Sequence, residues 1–162
     1  MLGETGRGLC EHFGIDPRRI ELGVGTLSKS FVSSGGFVCA EKSVIDWLRF
    51  CLPGFVYSVG LSPATLGAAQ GALTHLKTNP QRVARLHENS LFFRDHARDC
   101  GLNTGDAIGC GVVPILFATP EQTMIVSQTL LDAGIYAPPI VQVGVPKDLP
   151  RIRFFISAEH TR

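Results

Sequence analysis

The residues best suited to chemistry lie in Gly25-Thr26-Leu27-Ser28-Lys29-Ser30, a small-residue stretch that follows an extended segment and precedes Ser33-Ser34-Gly35-Gly36. A lysine at the end of a strand, in a loop lined with hydroxyls, suits imine formation with a carbonyl cofactor. Partial burial and positive surroundings favour the neutral amine that this step needs. The Thr26 hydroxyl, three residues earlier, together with the loop amides, could hold a phosphate nearby. Two other readings stand beside this one. Counted from Gly23, Lys29-Ser30 falls on the last two places of a phosphate-binding G-x-x-x-x-G-K-[ST] loop, but Ser28 occupies the place of its second glycine. That glycine lets backbone amides close round phosphates, so its absence weakens the match. A lysine after a strand can also be a solvated surface residue.

The elements that must position this stretch are legible in outline. Arg19 to Val24 alternates as a strand, which Gly23 and Gly25 should end in a tight loop, and Gly35 to Ala40 forms a second apolar strand. Ser43 is placed to cap a helix running to about Cys51, and Pro63 suits the first turn of a long helix from Ala64 to about Leu76. Asn79-Pro80 breaks the chain. A charged helix follows, Gln81 to about Asp99, with Val83, Leu86, Leu91, Phe92 and His96 as its inward positions and Gly101 as its stop. Next come an apolar strand over 111–118 and a helix after Pro120-Glu121 carrying Met124, Ile125, Leu130 and Leu131. Gly134 stops that helix, 135–137 is extended, Pro138-Pro139 locks a loop, and 151–157 forms a closing strand. The class is α/β. Residues 1–76 are expected to form one part and 77–162 a small α+β lobe, with strands 111–118 and 151–157 in one sheet.

Composition narrows the function. Fifteen basic against fourteen acidic residues leave a formal charge of +1 without a basic run, which argues against nucleic acid and anionic membrane surfaces as partners. The longest stretch without Asp, Glu, Lys or Arg, 50–76, is broken by Pro53, Gly54, Gly60, Pro63, Gly67 and Gly71, so no membrane span is expected. The five cysteines are widely spaced, odd in number and without a C-x-x-C pair. They read as buried free thiols of a reducing compartment, the cytoplasm, and neither as a disulfide scaffold nor as a metal site. The chain opens in a glycine loop with no earlier element to pair its first strand, and ends at Thr161-Arg162, where Thr161 looks like a helix cap with no helix after it. It is therefore expected to be a piece of something longer.

Four motifs, in order, give the chain a family likeness. They are Gly3-Glu4-Thr5-Gly6-Arg7-Gly8 with Glu11-His12-Phe13-Gly14, Gly25 to Phe31 followed by Ser34-Gly35-Gly36, Tyr57-Ser58-Val59-Gly60-Leu61-Ser62-Pro63, and Arg151-Ile152-Arg153 leading to Ser157-Ala158-Glu159-His160-Thr161. Together they resemble the α-oxoamine synthases, pyridoxal 5'-phosphate enzymes of fold type I. The resemblance implies the C-terminal part of the large cofactor-binding domain over 1–76 and a small C-terminal domain over 77–162.

Carried over residue by residue, the resemblance implies that Lys29 joins the cofactor through an imine and, once freed, takes the substrate Cα proton. Thr26 would bind the cofactor phosphate. Ser58 would reach the phosphate in a neighbouring subunit, which implies a homodimer with its active site at the interface. Val59 belongs to the same cofactor-binding stretch, although Val59 and Gly60 replace polar residues common in the family. Arg153 would hold the amino-acid carboxylate, with Arg151 the next candidate, and His160 would be a structural hydrogen-bonder. Val32 stands where the family commonly has glycine. The aspartate that pairs with the pyridine nitrogen, a histidine and a ring-stacking residue would lie upstream of Met1. The implied reaction is the usually decarboxylative condensation of glycine, serine or alanine with an acyl-CoA to an α-amino ketone. Without the upstream residues the chain alone would be inactive. The other expectation is a non-catalytic fragment serving only as a folding or interaction domain.

Overall fold

The computed structural model describes residues 1–146 and 148–161, and divides into two compact units, Met1–Pro80 and Gln81–Arg162. In the first unit β1 (Leu22–Thr26) and β2 (Gly36–Ala40) form an antiparallel pair, from Leu22 opposite Ala40 to Thr26 opposite Gly36. The sequence placed Gly23 and Gly25 at the end of the strand; both lie inside it. At Gly25 the reason is room, since a Cβ there would come within 2.3 Å of the Phe37 ring across the ladder, whereas one on Gly23 would meet Cys39 only at ordinary contact distance. Phe37 in turn meets Phe31 edge to face, ring centroids 6.2 Å apart.

Four α-helices, α1 (Leu9–Phe13), α2 (Lys42–Cys51), α3 (Pro53–Val56) and α4 (Pro63–Thr78), and one short 3-10 turn over Pro17–Arg19 complete this unit. Helix α2 begins one residue before the expected cap, so Ser43 sits inside it and Glu41 stands at the N-cap with no side-chain bond. Helix α4 has a true cap, since Ser62 Oγ accepts from Thr65 N–H at 3.2 Å and Pro63 opens the first turn with a nitrogen that needs no acceptor. Among the described residues Leu27 is the one buried hydrophobic side chain of this unit. A two-stranded ribbon offers only one ladder to pack against.

The second unit contains α5 (Gln81–Asp99), β3 (Val112–Leu116), α6 (Pro120–Asp132), β4 (Pro139–Ile140) and β5 (Arg151–Phe155). The strands form one antiparallel sheet in the order β3-β5-β4, so the expected pairing of the two long apolar strands is present, with Ile115 opposite Ile152 and Val113 opposite Phe154. Alternation along the strands sends Val113, Ile115, Ile152 and Phe154 to one face and Arg151, Arg153 and Pro114 to the other. Val113 and Ile152 are wholly buried, each contributing roughly 1.5–3 kcal/mol relative to exposure. Phe154 meets Phe93 of α5, ring centroids 4.9 Å apart.

Three further expectations change here. The buried line of α5 runs through Val83, Ser90 and Ala97, whereas Leu91, Phe92 and His96 are exposed. Pro139 belongs to strand β4, not to a loop; an edge strand tolerates a proline at its first position. None of the five thiols is buried: Cys39, Cys51 and Cys100 are exposed and Cys10 and Cys110 half-buried. Cys39 sits on the uncovered ribbon, and Cys51 turns back to donate to the Trp47 carbonyl at the end of α2.

Candidate functional site

The loop between β1 and β2 carries Lys29. It is closed at its base by Leu27 N–H to Gly35 C=O (2.9 Å) and Ser33 N–H to Leu27 C=O (3.0 Å), and at its tip by Val32 N–H to Lys29 C=O (3.0 Å). Thr26, the last residue of β1, lies under this turn, and its hydroxyl accepts from Ser28 N–H at 3.2 Å. The side chains form a line of donors. Lys29 Nζ donates to Ser28 Oγ at 3.2 Å, the Ser28 and Thr26 hydroxyls are 2.8 Å apart, and Thr26 Oγ1 reaches the Gly35 carbonyl at 3.4 Å. All three bonds can point the same way, from amine to carbonyl. The structure thus brings Lys29 and Thr26 into one small cluster. The Lys29 side chain is exposed and not partly buried, because the loop stands at the end of the uncovered ribbon, and no carboxylate pairs with it among the described residues.

Val32 has φ 50°, the one non-glycine residue with positive φ among those described. A β-branched side chain is an outlier there, and the family's glycine would sit without strain. The loop also leans on the start of α4: Ser33 Oγ donates to the Thr65 carbonyl at 2.7 Å, and Gly35, φ 91°, lies so close to Leu61 that a Cβ would come within 2.5 Å of its side chain.

Ser58 occupies an exposed turn after α3, where its hydroxyl accepts from Gly60 N–H at 3.2 Å. Its own N–H donates to the Phe55 carbonyl at 3.3 Å, so both bonds are local to the turn; Val59 beside it is fully exposed. Arg153 belongs to the second unit. It is half-buried on the polar face of β5, and its guanidinium has no side-chain or carbonyl partner among the described residues. Arg151, in contrast, spends its Nε on the Leu149 carbonyl at 3.1 Å. His160 is a structural hydrogen-bonder: its Nδ1 accepts from Ser157 N–H at 3.2 Å, while Asn89 of α5 donates to the carbonyls of Ser157 and His160, each at 3.0 Å. Arg82 pairs with Glu159 in the same segment.

Glu11 belongs to the first of the four motifs, and its surroundings show what it holds in place. Its carboxylate accepts from the Thr5 hydroxyl, from Thr5 N–H at 3.1 Å and from Arg7 N–H at 3.0 Å. The Thr5 hydroxyl, then the Arg7 amide, hold it below the usual carboxylate range. Gly3, φ 83°, lies against it, and a Cβ there would come within 2.2 Å of Oε2. The glycine loop is thus folded round a carboxylate.

Among the described residues no His, Cys, Asp and Glu group could hold a metal ion, and no helix is long and apolar enough to cross a membrane. An accessible amine beside two hydroxyls fits a carbonyl compound that also carries an anionic group.

Comparison with known proteins extends this. The model of the family described as aminotransferase class I and II matches residues 10–162. The chain is 36% identical over 162 residues to 8-amino-7-oxononanoate synthase of Thermosipho melanesiensis, an alignment covering 100% of this chain and 41% of that protein. It is 31% identical over 162 residues to serine palmitoyltransferase of Bacteroides thetaiotaomicron, covering 100% of this chain and 41% of that protein. A serine palmitoyltransferase variant from S. paucimobilis, solved with a bound PLP–myriocin aldimine, superposes with a TM-score of 0.91 at 26% identity, over 99% of this chain and 40% of that one. The chain spans about 40% of the length of the curated relatives it matches. With its order of motifs, its α/β fold and a family model that takes in nearly every residue, this chain belongs to the aminotransferase class I and II family, and its relatives are α-oxoamine synthases.

Proposed function

We propose that this chain is the lysine-bearing portion of a PLP-dependent acyl-CoA:amino-acid C-acyltransferase, which joins glycine, serine or alanine to an acyl-CoA, usually with loss of the carboxylate, to give an α-amino ketone. The observation that carries the reading is the line from Lys29 Nζ through Ser28 to Thr26, an amine and two hydroxyls on one closed loop. When bound, pyridoxal phosphate supplies an electron sink for negative charge at the amino acid's Cα. Lys29 would hold the cofactor and, when released, move the Cα proton, while Thr26 would orient the phosphate. Ser58, with the backbone at Val59, would serve the phosphate of a neighbouring subunit, which makes the working unit a homodimer. The exposure of Ser58 leaves it accessible for that contact.

Arg153 would grip the substrate carboxylate. Its unpaired guanidinium supports it over Arg151, since a planar fork free of internal partners can present two parallel donors. Five free cysteines are compatible with a cytoplasmic enzyme. The test is direct. Incubation with pyridoxal phosphate followed by borohydride should fix one pyridoxyl group on Lys29, located by peptide mass, and Lys29→Ala should abolish it. Labelling spread evenly over the surface lysines would overturn the reading.

A further inference from the structure

We propose that Ser33 is a positioning residue for Lys29: it fastens the loop of residues 27–33 to the first turn of α4 and so sets where the Lys29 amine stands. The significance of that position rests on the cofactor reading above, but the fastening itself stands on geometry. Val32 holds a left-handed backbone that a β-branched residue disfavours, and such a conformation persists only where its surroundings over-determine it. The bonds that do so converge on the next residue. Ser33 donates its N–H to Leu27 C=O at 3.0 Å, which closes the loop that contains Lys29, and donates its hydroxyl to Thr65 C=O at 2.7 Å, thirty-two residues along the chain.

Both acceptors are themselves fixed. Leu27 is the buried hydrophobe of this unit, and Thr65 is locked by the α4 cap, its N–H and hydroxyl both engaged by Ser62 Oγ. Gly35 against Leu61 gives a second point of contact with the same segment. The loop of Lys29 therefore rests on the end of the turn that begins at Tyr57-Ser58, and the order of one depends on the other. Ser34 is a natural control, exposed and with no side-chain hydrogen bond among the described residues.

The experiment compares Ser33→Ala, Ser33→Thr and Ser34→Ala with the unaltered chain. Removal of one hydrogen bond of this kind should speed amide exchange at Val32 and Ser33 about fivefold and shift the acetylation rate of Lys29 relative to Lys77. Threonine, which keeps the hydroxyl, should restore both, and Ser34→Ala should change neither. Exchange and Lys29 acetylation unchanged in Ser33→Ala, or changed equally in Ser34→Ala, would overturn the proposal. Borohydride fixation of pyridoxal phosphate separates the two readings. Loss of fixation in Ser33→Ala, restored by threonine, supports both. Response of exchange and acetylation in a chain whose Lys29 takes up no pyridoxyl group supports Ser33 and refutes the cofactor.

Discussion

The Ser90 hydroxyl accepts from the Gly111 amide at 3.0 Å while donating its own proton to the Leu86 carbonyl at 2.7 Å. One buried serine thus joins the middle of α5 to the residue that leads into β3, and satisfies an amide that the turn at Gly111 would otherwise leave without a partner.

Ser90→Ala should therefore destabilise the second unit by roughly 1–3 kcal/mol, the range for stranding a buried donor. Urea unfolding followed by circular dichroism would show the midpoint fall. A loss no larger than that of an exposed serine would mean that water replaces the hydroxyl.

Val32→Gly should act in the opposite direction. Relief of the left-handed strain, set against the extra backbone freedom of glycine, leaves a net gain of about 1 kcal/mol. The midpoint of the first unit should rise. A fall would show that Val32 is not in that conformation.

On the proposed function, Arg153→Ala in the whole enzyme should raise the KM for the amino acid about a hundredfold with little change for the acyl-CoA. Loss of one partner of a carboxylate pair costs about 3 kcal/mol, near the low end of the usual range because Arg153 is half-buried, and ~1.4 kcal/mol is one decade. Lysine should rescue in part, lacking the planar fork. Steady-state kinetics with each substrate varied in turn would decide, and an equal rise for both substrates would move the contact elsewhere.

Glu11 predicts an acid response of the glycine loop. Its folded pKa is lowered by the Thr5 hydroxyl and then the Arg7 amide, so its contribution is complete above the unfolded carboxylate value and is lost as pH falls through the folded one. Protection of the Thr5 and Arg7 amides, taken relative to the intrinsic exchange rate at each pH, should fall below the usual carboxylate range. In Glu11→Gln protection should be low throughout, with no step in that range. A step that survives in Glu11→Gln would assign the response to another group.

What the sequence made legible follows from which interactions are local. The helix starts at Pro63 and Pro120, the break at Asn79-Pro80 and the two long apolar strands were all readable, since each depends on neighbouring residues. The inward face of α5 was not. Hydrophobicity favours Leu91 and Phe92, but the buried positions are the small Ser90 and Ala97, and the serine hydroxyl is taken up by Gly111. The Lys29 loop was readable as a motif, yet Ser33 and Ser34 look alike in sequence. Only the approach of Thr65 distinguishes them. Glu11 was visible in its motif without its purpose, because the loop that it holds precedes it and bonds to it through backbone amides.

The sheet of the second unit carries a proline on each outer strand, Pro114 on β3 and Pro139 on β4, and β4 is only two residues long. A proline brings no N–H to a ladder, and so short a strand presents almost none to extend. A stray peptide that seeks an open margin would find few continuous rows of donors on either side. The width of this sheet is thus limited by its own composition, and chains crowded together during synthesis have a poor template along which to join strand to strand.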